Sequence, residues 1–263
     1  PPSAGGTVLV QMLNILEGFD LRAIGHNSAL YLHLLTESMR RAYADRANYL
    51  GDQDFNEDLP IARLTSKEHA ELQRQSIMMH AKSESDPARF AQVYESPETT
   101  HFSVVDKDGN MVSLTYTLEH GYGSKMVVEG AGFLLNNEMD DFAIKPGHPN
   151  KYGLVGSEAN SIYAGKRMLS SMSPTIVEDA NGELFLVLGS PGGSTIITTV
   201  AQIIVNVVDF GMDIDEADVL EAEELRDNVR RRLLKSGDEK LIYIVKQLPE
   251  ESWASLKHIL NSD

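Results

Sequence analysis

Cysteine is absent from the 263-residue chain. Its absence excludes disulfides, thiol catalysis and cysteine-ligated zinc, and it does not distinguish cytoplasm from periplasm. No apolar run approaches the roughly 18 residues that a membrane-spanning helix needs, and no signal peptide is visible. The chain opens with Pro-Pro rather than with methionine. We therefore expect a processed or truncated chain.

Basic residues are few, since 23 lysines and arginines stand against 39 acidic residues and give a formal charge of −16. Such a field repels phosphate backbones, which argues against nucleic acid as a partner. Most of this charge is expected on the solvated surface. The apolar content of 42% is ordinary for a globular protein of one large or two small domains.

The first hundred residues are predicted to be mainly helical. A first helix, "TVLVQMLNIL", is expected to end at Gly18, a plausible C-cap. A second helix runs through "ALYLHLLTESMRRAYADRANYLGD", with Asn27 or Ser28 as its N-cap and Gly51 at its end. Residues 64–80 are predicted to form a third helix, polar and exposed.

From about residue 99 the pattern favours strands. "HFSVVDKDGNMVSLTYT" and "SPTIVEDANGELFLVLGS" each alternate apolar and polar residues around a glycine turn, which is typical of a β-hairpin. "MVVEGAGFLL" is predicted to be a further strand with a glycine break. "STIITTVAQIIVNVVDFG" is predicted to be a buried helix ending at Gly211. This order predicts an α+β fold with antiparallel sheets covered by helices.

A glycine loop, "GSPGGS" at 189–194, joins an apolar strand to the buried helix. Backbone N–H groups at such a junction can bind an anion or an oxyanion, and a simple tight turn is an equal alternative. The P-loop spacing is missing, and the serine-hydrolase elbow fails because Leu188 stands two residues before Ser190.

Two further polar segments have competing interpretations. The hydroxyls of "LSSMSP" at 169–174 either bind a carboxylate or cap their own loop. The acids of "LLNNEMDDF" at 134–142 hold an ammonium group, ligate calcium without the EF-hand spacing, or form a solvated turn. His101 is either structural or a supporting residue of a site.

Thr99 stands directly before the first hairpin, in "PETTHFSVV". A threonine hydroxyl is a weak nucleophile unless a base lies close, and a free α-amine can be that base if the chain is cut before the threonine. A second hydroxyl on the next strand and a distant Gly-Gly loop would complete such a site. Spacing alone does not establish that these groups meet.

The segments "ESPETTHFSVVDKDGN", "LLNNEMDDF", "YGLVGSEAN", "LSSMSPTIV" and "LGSPGGSTIITTV" resemble the γ-glutamyltranspeptidases (glutathione hydrolases), and "AYADRANYLGD" resembles the end of that family's large subunit. The resemblance covers about residues 1–217. It implies the αββα sandwich of N-terminal-nucleophile hydrolases, incomplete in this chain. It also implies self-cleavage between Glu98 and Thr99, after which Thr99 attacks a γ-glutamyl amide.

The resemblance assigns the remaining site residues. Thr117 would hydrogen-bond the Thr99 hydroxyl, and the N–H groups of Gly192 and Gly193 would stabilise the oxyanion. The substrate groups are assigned to two sets of side chains: Ser170 and Ser171 for the α-carboxylate, and Glu138 and Asp141 for the α-ammonium. Glu119 replaces an asparagine common in the family, and its carboxylate could weaken carboxylate binding or retune acceptor choice.

The resemblance also implies three regions: residues 1–98, the end of a large-subunit-like region; 99–217, a small-subunit-like catalytic region; and 218–263, a charged helical tail without a family match. The expected activity transfers the γ-glutamyl group of glutathione and related amides to water, an amine or a peptide, without metal or cofactor. Missing large-subunit parts could come from another chain, and family members are usually periplasmic or extracellular. The rival hypotheses are an inactive truncated relative that binds ligands or partners, and an anion-binding module.

Overall fold

The computed structural model describes residues 2–84, 99–151 and 153–217. Residues 1–211 form one compact unit. A second unit begins at residue 212, and within it residues 214–217 are helical. Glu98 and the tail from residue 218, predicted to be helical, lie outside the described residues. The predicted division into three regions stays a prediction.

The core of the unit 1–211 lies between helices. The described helices are α1 (Gly5–Leu16), α2 (Leu21–Ile24), α3 (Ala29–Tyr49), α4 (Ile61–Leu64), α5 (Lys67–Gln75) and α6 (Ile196–Val208). Helix α1 packs against α3, α5 and α6, because its apolar side chains recur three and four residues apart. The main apolar cluster consists of Ile15, Leu16, Leu21, Tyr31, Leu34, Leu35, Ala70, Ile77 and Val205.

Three predicted helices are confirmed as α1, α3 and α6, and each has a different end from the one predicted. Helix α1 has Glu17 rather than Gly18 as its C-cap, and α3 ends at Tyr49 with Leu50 as its C-cap, before Gly51. Helix α6 ends at Val208 rather than at Gly211. Gly51 is required by a close approach, because a Cβ there would lie less than 3.0 Å from the carbonyl oxygen of Ala159. Of the two proposed N-caps of α3, Ser28 is the one that accepts a hydrogen bond.

The bounds of the helix predicted over residues 64–80 are wrong, because α4 ends at Leu64 and α5 covers only Lys67–Gln75. The chain breaks between them because the Ser66 hydroxyl accepts a hydrogen bond from the N–H of His69, at 3.1 Å, and so starts a new helix. Helix α5 is mostly exposed, as predicted, and buries Ala70.

Both predicted hairpins are confirmed as antiparallel pairs. Strand β1 (Thr100–Val105) pairs with β2 (Met111–Tyr116), and β3 (Thr175–Glu178) pairs with β4 (Leu184–Leu188). The strand predicted in "MVVEGAGFLL" is wrong. That segment forms only an isolated bridge between Val127 and Leu134, because Gly130 and Gly132 turn the chain at positive φ.

Side-chain hydroxyls join the two hairpins. Ser103 Oγ donates to the carbonyl oxygen of Val187 at 3.2 Å, and Ser113 Oγ donates to that of Leu188 at 2.9 Å. Ser113 Oγ also accepts from the N–H of Thr175 at 3.0 Å. Helices packed beside antiparallel hairpins confirm the predicted α+β class.

Candidate active site

The first hairpin brings two threonine hydroxyls together. Thr100 pairs with Tyr116 in the β1–β2 register, so Thr99 and Thr117 are the next facing pair beyond the strand ends. The Thr99 hydroxyl donates to Thr117 Oγ1 at 3.3 Å, and Thr117 Oγ1 accepts from the N–H of Glu119 at 2.9 Å. Thr99 is 7% exposed. A pair of hydroxyls, one buried and one half-buried, thus lies where the hairpin begins.

A small cavity surrounds this pair. It is lined by Thr99, Thr117, Glu119, Asp141, Leu154, Ser170, Ser171, Met172, Gly193, Ser194 and Ile196. Seven of the side chains or glycines predicted from the sequence therefore meet in one place. Glu138 and Gly192 do not line the cavity. Both nevertheless lie next to residues that line it. Glu138 is in the same 3-10 helix (Glu138–Asp141) as Asp141, and Gly192 directly precedes Gly193.

Ser170 and Ser171 lie on a loop that runs beside the N-terminal segment. Ser170 exchanges backbone hydrogen bonds there, since its N–H donates to Pro2 and its carbonyl accepts from Ala4. Its hydroxyl accepts from the N–H of Met172 at 3.1 Å, which is the loop-capping arrangement that the sequence left open. Ser171 is 8% exposed and has a different partner.

That partner, Arg46, is a residue that the sequence analysis missed. Its Nη2 donates to Ser171 Oγ at 3.2 Å and to the carbonyl oxygen of Leu169 at 3.4 Å. Arg46 lies on α3 and is 4% exposed. The signal was present in the helical pattern, because Arg46 follows the buried Ala42 and Ser38 at intervals of four residues.

Carboxyl groups give the cavity its charge. Burial, together with the nearby carboxylates of Asp141 and Asp140, raises the pKa of Glu119 to about 8. Glu119 is 4% exposed, and its backbone has a φ of 73°, a left-handed conformation that is uncommon outside glycine. Burial raises the pKa of Asp141 to about 7, against the lowering effect of Arg46. Ionised carboxylates at this depth favour a bound cation such as an ammonium group.

Glu138 is half-buried beside these groups, and burial raises its pKa as well. The predicted acidic segment therefore holds two buried or half-buried carboxyls within one 3-10 helical turn. A fully solvated turn does not describe this segment, because its last residue, Phe142, is buried, as is Ala143 directly after it.

The glycine loop reaches the cavity through Gly193. Gly192 and Gly193 have positive φ angles of 131° and 59°, so both adopt conformations that side chains disfavour. The loop starts at Gly189, which packs against the imidazole of His101. His101 contacts the hydroxyls of Thr115 at 2.9 Å and Ser103 at 3.1 Å and does not line the cavity.

Within the described ranges, no group of three or more histidine, aspartate or glutamate side chains is arranged to hold a metal ion. A helix long and apolar enough to cross a bilayer is likewise not found in that part of the chain.

Comparisons with known proteins show the family to which the chain belongs. A family model described as Gamma-glutamyltranspeptidase matches residues 1–231. The glutathione hydrolase proenzyme of Escherichia coli K12 is 51% identical over 220 residues, which are 82% of this chain and 37% of that protein. The glutathione hydrolase proenzyme of Pseudomonas aeruginosa is 50% identical over 218 residues, covering 82% of this chain and 38% of its own length.

A solved cephalosporin acylase from Bacillus halodurans superimposes with a TM-score of 0.63 at 25% identity, covering 81% of this chain and 35% of that one. These matches first define the class, which is the α+β fold of the N-terminal-nucleophile hydrolases. Within that class, the chain belongs to the γ-glutamyltranspeptidase family. The chain spans less than two fifths of the length of the two glutathione hydrolase proenzymes.

Proposed function

We propose that the protein containing this chain hydrolyses or transfers the γ-glutamyl group of glutathione and related γ-glutamyl amides, with Thr99 as the nucleophile. The observation that carries the proposal is the 3.3 Å contact between the Thr99 and Thr117 hydroxyls, in a cavity that also contains carboxyl and serine hydroxyl groups. The identity to two proteins named glutathione hydrolase supports it.

The first step prepares the nucleophile. Water adds across the peptide bond between Glu98 and Thr99, so that Glu98 gains a carboxylate and Thr99 gains a free α-amine. That amine takes the proton of its own hydroxyl during attack, because no other strong base is needed when a terminal amine lies on the same residue. Thr117 holds the Thr99 oxygen in place.

The second step transfers the acyl group. Thr99 Oγ1 forms a bond to the γ-carbonyl carbon, and the N–H groups of Gly192 and Gly193 stabilise the oxyanion; losing one such donor typically costs about 10²–10³ in rate. The C–N bond then breaks, and the leaving amine takes the proton held by the Thr99 amine. Water or an acceptor amine or peptide attacks the resulting ester, which releases glutamate or a new γ-glutamyl amide and restores the hydroxyl.

Recognition of the glutamyl group follows from its two charges. The α-carboxylate binds the hydroxyls of Ser170 and Ser171, and the α-ammonium binds Glu119, Glu138 and Asp141. Ser171 and Asp141 support this division because both line the cavity that contains Thr99. An ammonium group also offsets the mutual repulsion of carboxylates that raises their pKa values.

The surrounding organisation is part of the same proposal. Residues 1–98 would end a large-subunit-like region, 99–217 would form the catalytic region, and 218–263 would be an appended tail. The remaining large-subunit portion would complete the site, from the same or another polypeptide. The family resemblance favours the periplasm or the cell exterior.

A second candidate function is hydrolysis of a β-lactam side-chain amide. It is favoured by the 38% identity over 218 residues to the acylase ACY 1 proenzyme of Pseudomonas sp. strain SE83 and by the cephalosporin acylase fold match. A glutaryl group is a γ-glutamyl group without the α-ammonium, so a glutaryl amide offers no cation to the carboxyls of Glu119 and Asp141 that line the cavity. These carboxyls therefore argue for the γ-glutamyl substrate.

The test uses the complete gene product, with Thr99→Ala as the variant and Thr100→Ala as the matched control. Thr100 is the next hydroxyl along the chain, and it is exposed. Wild type and Thr100→Ala should give two bands on a denaturing gel, with the smaller one beginning Thr-Thr-His-Phe or Thr-Ala-His-Phe. Both should release glutamate from glutathione, while Thr99→Ala should stay intact and release none.

Three results would contradict the proposal in different ways. An uncleaved wild type that binds L-glutamate without releasing it from glutathione would favour the inactive ligand-binding relative. Phosphate protection against unfolding that survives Thr99→Ala, without any turnover, would favour the anion-binding module. Faster turnover of glutaryl amides than of γ-glutamyl amides would favour the acylase.

A further inference from the structure

We propose that Arg46 is a positioning residue for the zwitterion site, where one guanidinium orients the Ser171 hydroxyl and places a positive charge beside Asp141. This inference rests on the proposed γ-glutamyl function. It adds a buried cation on helix α3 that acts on both parts of the recognition site, Ser171 for the α-carboxylate and Asp141 for the α-ammonium.

The position of Arg46 is set by its helix. Residues on the buried face of α3 recur through Leu34, Ser38 and Ala42, and Arg46 is the next residue on that face. Its side chain therefore enters the protein beside residues 169–171, and only 4% of the residue is exposed. Burying a guanidinium at such depth costs free energy unless it has partners. Burial lowers the pKa of Arg46, and the neighbouring groups Tyr43 and Asp141 act in the opposite direction, in favour of the charged form.

The contact with Ser171 fixes the direction of one hydroxyl. Arg46 Nη2 donates to Ser171 Oγ at 3.2 Å, so this oxygen acts as an acceptor on the side that faces α3. In the described part of the chain, no protein acceptor takes the Ser171 hydroxyl hydrogen. That hydrogen is then available to the cavity that Ser171 lines, where it can donate to a carboxylate.

The second partner of Arg46 is electrostatic. Arg46 and Asp141 both line a neighbouring cavity of about 130 Å³, which Lys145 and His148 also border. The charges of Glu138 and Asp140 raise the pKa of Asp141, whereas Arg46 is the group that lowers it. The guanidinium therefore helps Asp141 to stay ionised in the company of other carboxylates, including Glu119.

One atom of Arg46 argues against a purely structural role. Its Nε is buried and has no hydrogen-bond partner among the described residues. A guanidinium selected only to join α3 to the serine loop would be expected to satisfy its buried donors. Two donations from Nη2 and a nearby carboxylate indicate that the group is placed for Ser171 and Asp141.

The test separates these two effects with two substitutions in the complete gene product. Arg46→Lys keeps the charge and loses the planar fork, whereas Arg46→Gln loses both. Arg74→Lys is the matched control, because Arg74 also donates to backbone carbonyl oxygens, those of Asn14 and Ile15, outside the site. Steady-state kinetics are measured on γ-glutamyl, glutaryl and 4-aminobutyryl anilides from pH 5 to pH 10, together with calorimetric binding of L-glutamate.

We expect both Arg46 variants to raise KM for the γ-glutamyl anilide by about 10–100-fold and to change kcat by less than about threefold. The anilides that lack one of the two charges should change less. The acid limb of kcat/KM should move to higher pH in Arg46→Gln and stay in place in Arg46→Lys. Arg74→Lys should behave as wild type on all three substrates.

Equal KM values and an unmoved acid limb in both variants, with only a loss of stability, would overturn the Arg46 proposal and leave the γ-glutamyl function intact. If wild type shows no turnover, the binding of L-glutamate decides. Binding weakened at least about tenfold in Arg46→Lys supports the positioning role, and unchanged binding overturns it. A wild type that neither turns over the anilide nor binds L-glutamate overturns both proposals.

Discussion

The imidazole of His101 fills the space beside Gly189, where an added Cβ would lie less than 3.0 Å from three ring atoms. His101 belongs to β1, which starts directly after Thr99, and Gly189 starts the loop that carries Gly193 into the cavity. The ring is held on its other side by Thr115 and Ser103. This packing contact therefore helps to set the distance between β1, which follows the proposed nucleophile, and the glycine loop.

Gly189→Ala should separate the loop from β1. The methyl group has to displace either the ring or the loop backbone, and such overpacking typically costs about 1–3 kcal/mol. A shift of the loop by about 1 Å is expected to lower kcat by about 10²-fold, because the proposed oxyanion donors, the N–H groups of Gly192 and Gly193, would lose their alignment. Denaturant unfolding and steady-state kinetics measure the two effects.

Gly6→Ala is the control for this substitution. Gly6 lies in α1 with no atom within 4 Å of the position of its Cβ, so alanine should stabilise the helix by up to about 1 kcal/mol and leave turnover unchanged. Wild-type activity in Gly189→Ala would refute the importance of the His101 contact for the loop.

Local rules accounted for much of this molecule. The hairpins followed from alternation and glycine turns, and the buried helix α6 followed from a long stretch that is apolar all round. The register of β1 with β2 makes Thr99 face Thr117. The glycines in residues 126–135 were visible in the sequence. That they turn the chain and end the strand was not, because positive φ angles depend on contacts that alternation does not encode. The start of α5 after residue 66 rather than at residue 64 depended on one hydroxyl, that of Ser66, which caps the new helix.

The assembly of the cavity could not come from local pattern. It joins residues from the first hairpin, a 3-10 turn, the serine loop and the glycine loop, and these are separated by tens of residues. The family resemblance proposed the set as a whole. The sequence analysis did not predict that Arg46 is buried. Arginine is rarely fully buried, so its position on the apolar face of the helix was not enough to indicate burial.

Thr117→Val should remove the hydroxyl contact with Thr99 while keeping the shape of the side chain. It deletes the acceptor for both the Thr99 hydroxyl and the N–H of Glu119. We expect kcat to fall by about 10²–10⁴-fold with little change in KM, because the lost group positions the attacking oxygen rather than the substrate. Thr36→Val, at a helical threonine that bonds only the Leu32 carbonyl, is the control and should keep full activity. A Thr117→Val enzyme with normal kcat would show that Thr99 is positioned by other groups.

Glu119→Gln should change stability in a pH-dependent way. The folded-state pKa of about 8 lies above the value of about 4.3 for an unfolded glutamate, so the folded protein favours the neutral acid. Stability contributed by the neutral group is complete below about pH 4 and is lost as the pH rises through about 8. Glu119→Gln should therefore match wild type at pH 4 and resist denaturant better than wild type at pH 9. The control is Glu183→Gln at an exposed turn, and a wild type that gains stability over Glu119→Gln with rising pH would contradict the sign.

Asp52→Asn tests the clamp that holds the serine loop to the end of α3. Asp52 is fully buried, and its carboxylate accepts from the Arg167 backbone N–H and Nε, each at 2.9 Å, and from Arg167 Nη2 at 2.6 Å. Those side-chain hydrogen bonds hold the pKa of Asp52 well below its usual range. Since Arg167 is half-exposed, we expect a loss on the order of 1–3 kcal/mol at pH 7 rather than the full value of a buried ion pair.

The sign of its pH dependence is opposite to that of Glu119. A lowered folded-state pKa gives stability that is present above about pH 4, the pKa of an unfolded aspartate, and is lost as the pH falls further. The difference between wild type and Asp52→Asn should therefore shrink steadily below pH 4. Asp54→Asn is the matched control, because Asp54 pairs with the same Arg167 Nη2 at 2.5 Å from an exposed position and should cost no more than about 0.5 kcal/mol. Equal losses of stability in the two variants would show that the exposed Asp54–Arg167 pair holds the serine loop as well as the buried Asp52 carboxylate does, which would contradict the prediction.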